Sequence, residues 1–421
     1  MRTMKASSLD MMLAGSRIIT ALGPVDPGTP EEIVARVQAL AACGGLGSRF
    51  GLIPSTASRT WRHDPDAFLQ GVVHLPPCSA DELPEVLTRR ARSTCSSVPL
   101  WIGQAGRYLI VDMSHGLGDA RLITMLNQIL GERIPPQHVP RWAAPRLAVD
   151  PITVATRFFL RHPAQLSALV YSRVARTLTR ESVGSVDANE EVEHVAWRRA
   201  PVAVAARCAG STGRELWQYR DRLPARVSMA SILFASLAGE IRSQGIDLAD
   251  TVTVMYDCRR YLPTASAIFG NFASGVDLTL ADPADPSGMH SAIVDAAVGG
   301  RPLAVLAVGG YVFHRQCRRD RGYVGPLRVP RRPRAKLVFS DVGDVFANSP
   351  MWTGHRGDRF YNALNEPVDP QSIVFTITRR GHDIDVTATF HENVFDPTLV
   401  QAALDRVLGV AQPHASRRAG S

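Results

Sequence analysis

The spacing of apolar residues changes several times along the chain, and each change marks an element. In RYLIVDMSHGLGDARLITML, residues 107–126, Tyr108, Ile110 and Asp112 share one face of an alternating run, the period of a strand. Beyond it Leu122, Ile123, Met125, Leu126, Ile129 and Leu130 recur at helical spacing. His115 therefore falls in a strand-to-helix connection, between Ser114 and Gly116, with Asp119 four positions later at the helix start.

The same reading extends to both sides. PEEIVARVQALAA, residues 30–42, opens with Pro and two acids and predicts a helix. CGGLGSRFG then ends it; Gly45, Gly47 and Gly51 read as helix-capping glycines, because a dinucleotide loop follows a strand rather than a helix. Residues 150–180 form a basic, helix-like stretch carrying Phe158, Phe159, Leu166, Leu169, Val170 and Val174. It reads as a surface helix with a solvated basic face, membrane-surface contact being the other reading. ESVGSVDANEEVEH, polar and acidic, follows as a linker.

The second half predicts a helix over 228–245, a strand over 251–257, a helix-like stretch near 290–310 and a strand over 335–343. A hairpin over 372–390 turns at Arg380, Gly381 and His382. Helices and strands mix in both halves, which predicts an α/β (α+β sandwich) protein of two domains: 1–180, a linker at 181–196, and 197–421.

Composition narrows the picture only in places. A chain of 421 residues with 45% hydrophobic content has room for two cores. Its formal charge of +8 favours an anionic partner. Residues 315–336 carry nine Arg or Lys against one Asp, yet lack the aromatic platform of a nucleic-acid groove, so no nucleic acid is expected. The six cysteines are scattered without a C-x-x-C pair, and the histidines show no H-E-x-x-H spacing, so no metal site is expected. The N-terminus starts like a signal peptide, but Asp10 and Arg17 interrupt its apolar run. No stretch reaches the ~20 apolar residues of a membrane span, and a cytoplasmic protein, monomeric by preference, is expected.

His115, with Gly116 and Gly118 close after it, is open to substrate, and a free imidazole titrates near neutrality where a general base works best. By local sequence alone Asp119 reads as a helix N-cap, and a lone loop histidine as an ordinary residue. Companions elsewhere change the weighing. H-G-L-G-D resembles the H-x-x-x-D motif of the condensation-domain and chloramphenicol-acetyltransferase-like acyltransferase superfamily, with Ser114 and Ala120 where the fuller motif H-H-x-x-x-D-G has His and Gly. VMYDCRRYLP (254–263) with GNF (270–272) resembles the family's D-x-R-x-x-L-P and G-N-F segment, FSDVGDV (339–345) its S-N-x-G-like strand end, and DIDVTATFHENVFD (383–396) its closing strand and turn.

The resemblance spans most of the chain. It implies two chloramphenicol-acetyltransferase-like subdomains in a V, with the active site in a tunnel between them. The implied activity is acyl transfer from a thioester to a hydroxyl or amine of a small-molecule acceptor, a specialised metabolite or lipid. His115 is the implied general base. Asp119 is expected to pair with Arg259, with Arg260 as the fallback, and to support the site's shape. Backbone N–H groups around Gly118, with Ser340 and Asn271, are the oxyanion or substrate candidates. No bound cofactor is expected; acyl-CoA or a phosphopantetheine-linked thioester on a carrier protein serves as co-substrate. The alternatives are a condensation-type amide synthase joining carrier-bound units and a non-catalytic recruitment protein.

Overall fold

The computed structural model describes residues 2–43, 49–93, 98–142, 150–169, 193–208, 210–223, 227–262, 270–309, 328–367 and 369–409. In chain order its main strands are β1 (Arg17–Gly23), β2 (Leu69–Leu75), β3 (Leu100–Ala105), β4 (Tyr108–Ser114), β5 (Pro201–Cys208), β6 (Thr251–Asp257), β7 (Ala273–Thr279), β8 (Lys336–Asp344), β9 (Phe360–Asn365), β10 (Ser372–Arg380) and β11 (Asp383–His391). They form one sheet in the order β9-β1-β4-β3-β2 and another in the order β7-β6-β8-β10-β11-β5.

The second sheet shows how alternation becomes a core. Ile373, Phe375 and Ile377 of β10 join Ile384, Val386, Ala388 and Phe390 of β11 in a cluster closed by the helices Met229–Ser243, Pro286–Val298 and Pro397–Leu408. Gly381, in the left-handed region at φ +65, makes the turn between the two strands. The other face is buried too, yet polar: Thr376, Thr378, Thr387 and Thr389 lie there. Strand β9 accounts for it. It pairs with β1 from Phe360↔Gly23 to Asn365↔Ile18, so its ladder belongs to the first sheet. Toward the second sheet, Thr378 Oγ1 donates to Tyr361 O (3.2 Å), Asn365 Nδ2 to Thr376 Oγ1 (2.9 Å), and Tyr361 N–H to Asp385 Oδ2 (3.2 Å). A strand from late in the sequence thus completes the early sheet and fastens it to the late one, which a division of the chain at a linker does not anticipate.

The first sheet is packed by the helices Pro30–Ala42 and Ala120–Gly131, through Ile33, Val37, Leu40, Leu122, Leu126 and Ile129. Near its opposite face lie Leu83, Val86 and Leu87 of the helix Leu83–Arg92.

Most expected elements appear within a residue or two of their places. Two are shorter than the hydrophobic pattern suggests. The helix-like stretch near 290–310 is two helices, Pro286–Val298 and Arg301–Gly309, bent by 61° around Gly299 and Gly300; Gly300 has φ +68. The helix begun at Pro151 stops at Arg161 before Pro163, whose ring and missing N–H oppose continuation; a second helical run covers 163–169. The remainder of that stretch, Gly45 and Gly47, most of the acidic linker and residues 315–327 of the basic stretch lie outside the described residues. Further along the basic stretch, Arg331 pairs with Glu193 (2.8 Å) and Arg334 with Asp250 (2.7 Å). Among the described residues no single helix is long and apolar enough to cross a membrane.

Candidate active site

Strand β4 is buried from Leu109 through Ser114 and delivers the histidine loop. Its one carboxylate, Asp112, is buried between Arg17 and Arg90, the latter at 2.6 Å and stacked over Trp101. These arginines anchor the strand. At its end Ser114 N–H donates to Pro99 O (2.8 Å), Ser114 Oγ to Ala14 O (3.2 Å) and His115 N–H to Ser16 O (2.9 Å). The chain then makes a short 3₁₀ turn, His115–Leu117, and extends through Gly118 into the helix Ala120–Gly131. Gly116 is needed here for close approach: a Cβ would lie 2.8 Å from Ala14 Cα and 3.0 Å from Asp10 O.

Asp119 does two jobs. It caps the helix, accepting from Arg121 N–H at 3.2 Å, and it holds the other half of the chain. Arg259 Nη2 donates to both its oxygens (3.1 and 2.9 Å), and Phe272 N–H donates to Oδ2 (3.1 Å). Arg259 is itself buried and also bonds Asp257 Oδ1 (3.0 Å) and Gly270 O (2.8 Å). Burial works against its charge, but the carboxylates of Asp119 and Asp257 outweigh that and raise its pKa. Arg260, the fallback, is exposed.

Asn271 sits under the loop. Its Nδ2 donates to His115 O (2.8 Å), Asp10 Oδ1 (3.1 Å) and, more weakly, Gly116 O (3.4 Å), so its amide N–H groups hold the loop backbone. Two residues that sequence reasoning missed complete the clamp. Arg49 donates from Nε to Leu117 O (2.6 Å) and from Nη2 to Gly116 O (2.9 Å), and pairs with Asp10 at 2.7 Å. Asp10 was legible only as the partner of Ser7 in an S-x-x-D capping box, and Arg49 only as the lone cation in a glycine-rich run.

The imidazole of His115 is half-buried, and its Nδ1 is buried without a hydrogen-bond partner. Burial pushes its pKa below the ordinary value, against the opposing pull of the Asp119 carboxylate. At neutral pH the ring is therefore neutral and able to take a proton. The structure brings His115, Gly118, Asp119, Arg259 and Asn271 together. Gly118 N–H already donates to His115 O at 3.3 Å. Ser340 is placed differently from a strand end: it lies mid-way along β8, opposite Thr376, and among the described residues no hydrogen bond joins it to the loop. A cleft of about 700 Å³ between the helix Leu83–Arg92 and β5 includes no residue of the loop in its lining.

No protein-family model and no curated protein sequence matches the chain. Solved structures do. The trichothecene 15-O-acetyltransferase TRI3 of Fusarium sporotrichioides superposes with a TM-score of 0.60 at 10% identity, over 96% of this chain and 94% of that one. The chain has the condensation-domain and chloramphenicol-acetyltransferase-like fold. The first condensation domain of the calcium-dependent antibiotic synthetase gives 0.53 at 15% identity over 97% and 95% of the two chains. Polyketide synthase associated protein 5 of Mycobacterium tuberculosis gives 0.53 at 13%, over 97% and 96%. The likeness establishes architecture alone; the chemistry has to be argued from the residues of this chain.

Proposed function

We propose that the chain is an acyltransferase that moves an acyl group from a thioester to a hydroxyl or amine, with His115 as general base. The observation that supports this most is the setting of the imidazole. Its pKa is depressed, its Nδ1 is unpartnered, and its loop is clamped by Asp10 and Arg49 from the first half and by Asn271 and Arg259 from the second. A rigid, neutral imidazole is what proton abstraction from an attacking nucleophile requires.

In the proposed step a ring nitrogen of His115 takes the proton of the acceptor O–H or N–H as the acceptor attacks the thioester carbonyl carbon. The tetrahedral intermediate collapses, the C–S bond breaks, and the proton passes to the departing thiolate. The developing oxyanion requires donors; Ser340 and the Gly118 N–H are the groups assigned to it here, the latter after release of its long bond to His115 O. A preorganised donor of this kind is worth ~10²–10³ in rate. Asp119 and Arg259 act on the shape of the loop rather than on the proton.

The donor arm is the pantetheine shared by coenzyme A and carrier proteins, and the acceptor is a small molecule of specialised metabolism or a lipid. The test is thiol release and acceptor mass across a panel of acyl thioesters and nucleophiles. His115→Ala is expected to lose ~10²–10⁴ of turnover while keeping its melting temperature. Turnover only between two carrier-bound partners indicates the condensation-type amide synthase. No thioester consumption with any nucleophile refutes the catalytic reading.

A further inference from the structure

We infer that two apolar, arginine-edged helical segments form a face that docks the protein on an anionic lipid bilayer. This reading is independent of the proposed acyl transfer. Among the described residues twelve large apolar side chains stand exposed, and seven of them lie in two segments distant in sequence. Ile152, Leu160 and Leu166 belong to the helix Pro151–Arg161 and the run 163–169. Val294, Val298, Val305 and Val308 belong to the bent pair Pro286–Val298 and Arg301–Gly309. Leu160 is 77% exposed and Val298 62%. Apolar side chains scattered singly over a surface need no explanation, but a concentration of them marks an interaction site.

The two segments are packed on one another. Val154, Ala155 and Phe159 share a buried cluster with Leu303 and Leu306. Gly300 meets Phe158 so closely that a Cβ there would lie 2.4 Å from the ring. Tyr261 fixes the bend: its ring meets Phe158 edge-on (centroids 5.1 Å apart) and its hydroxyl donates to Ala297 O (2.6 Å). With one side of each helix used in this way, Ile152, Thr156 and Leu160 follow one another at four-residue spacing along an exposed side, and Val294 and Val298 do the same. Leu9 packs against the same cluster and Phe272 is part of it. They are chain neighbours of Asp10 and Asn271, so the cluster beneath the face adjoins the clamp of the histidine loop.

Charge selects the occupant. Arg157 and Arg161 form an exposed stripe beside Thr156 and Leu160, and neither has an ion-pair partner among the described residues. Although 39 of the 421 residues are acidic, no Asp or Glu occurs in 151–169 or 296–309. The acids that bound these segments are Asp150, spent on capping the first helix through the N–H groups of Ile152 and Thr153, and Asp295. An apolar stripe edged by guanidinium groups is the pattern of a helix lying in the bilayer interface, where the stripe enters the acyl boundary and the arginines reach the phosphates. The helix Pro151–Arg161 has 11 residues; at ~1.5 Å per residue it is too short for the ~30 Å hydrocarbon core, so the contact is peripheral. Among the described residues the clefts of about 700, 470 and 280 Å³ include none of the seven exposed side chains, so these clefts supply no socket there for the anchoring side chain of a protein partner.

The probe is a vesicle of equal parts phosphatidylcholine and phosphatidylglycerol, with phosphatidylcholine alone as the neutral comparison; partition of the full chain is measured by co-sedimentation. Partition into the anionic vesicles is expected to exceed that into the neutral ones. Leu160→Ser and Val298→Ser should each weaken it about ten-fold. Arg157→Gln and Arg161→Gln should each weaken it about five-fold on the anionic vesicles, and added salt should do likewise. Tyr219→Ser, at an exposed aromatic on the helix Gly210–Arg222, should change nothing. All these side chains are exposed, and unchanged melting temperatures show that the variants fold. No partition into anionic vesicles, partition indifferent to the apolar and arginine variants, or an equal loss in Tyr219→Ser overturns the docking face. So does a lipid-free dimer that Leu160→Ser and Val298→Ser convert to monomer, which makes the face an interface between copies. Vesicle binding is read without substrate: a chain that binds but transfers no acyl group keeps the face and loses the catalytic reading, and one that transfers without binding does the reverse.

Discussion

Replacing Asp119 by Ala removes the main partner of a buried guanidinium. Arg259 would keep Asp257 and the Gly270 carbonyl, while Phe272 N–H and Arg121 N–H would each lose an acceptor. Breaking a buried ion pair from one side costs about 3–5 kcal/mol, because the remaining charge stays desolvated. At ~2.1 cal/mol/K of unfolding entropy per residue, the 421 residues unfold with ~0.9 kcal/mol/K, so the melting temperature should fall by about 3–6 °C. The pair bridges the two halves of the chain at the site, so activity should fall with the loss of geometry even well below the melting temperature. The assay is a thermal melt of Asp119→Ala, Arg259→Ala and the double variant. Coupled residues predict a double variant scarcely worse than the worse single, since removing both charges leaves none stranded. Additive losses, or a drop of less than 1 °C for Asp119→Ala (~1 kcal/mol on the same entropy), would refute the role assigned to the pair.

Further outcomes follow from the same geometry. The kcat/KM profile should lose activity as pH falls through an apparent pKa below the ordinary ~6.5 of histidine, because the base must be neutral; a limb at or above that value contradicts the burial of His115. His391 is buried, its Nδ1 accepts from Ala200 N–H at 3.2 Å, and burial lowers its pKa. The unfolded chain thus binds a proton the folded one refuses, and stability should be complete above the unfolded pKa and decline as pH falls below ~6.5; His391→Gln should flatten that decline in urea unfolding between neutral and mildly acidic pH. Gly116→Ala forces a Cβ against Ala14 and Asp10 O and should cost ~1–3 kcal/mol, with a larger proportional loss of turnover than of stability. Arg49→Ala removes the ion pair to Asp10 and a donor from each of the Gly116 and Leu117 carbonyls and should lower kcat by at least ten-fold with little change in KM; equal effects on both constants would move Arg49 from positioning the loop to binding substrate.

The chemistry-bearing parts were legible where chemistry and local structure coincide. The strand-to-helix connection around His115 could be read from a change of period, and Asp119 from its place at a helix start. The pairing with Arg259 came from the likeness of two distant segments to a known pattern, since nothing in D-C-R-R says which arginine turns inward. The 3₁₀ turn Cys258–Tyr261 decides it: Asp257 caps the turn at Arg259 N–H and aims that residue's side chain at Asp119, leaving Arg260 outside. Asn271 had read as a contact to substrate, but its amide N–H groups are spent on the His115 and Gly116 carbonyls. Ser340 had read as a strand end from the likeness of FSDVGDV to a known pattern; its pairing with β6 does stop there, yet β8 itself continues beside β10.

Local order in this protein was written in the sequence: alternating residues that make β10 and β11, the cap at Asp119, and the glycine that turns the chain at Gly381. Those choices are made by backbone sterics, side-chain period and neighbours a few residues away. Only the tertiary structure decided that β9 joins the early sheet and that Asp10, Arg49 and Asn271 meet beneath one loop. These depend on groups tens to hundreds of residues apart: burial of apolar surface drives them together, and the polar groups buried with it need partners that the local sequence does not contain.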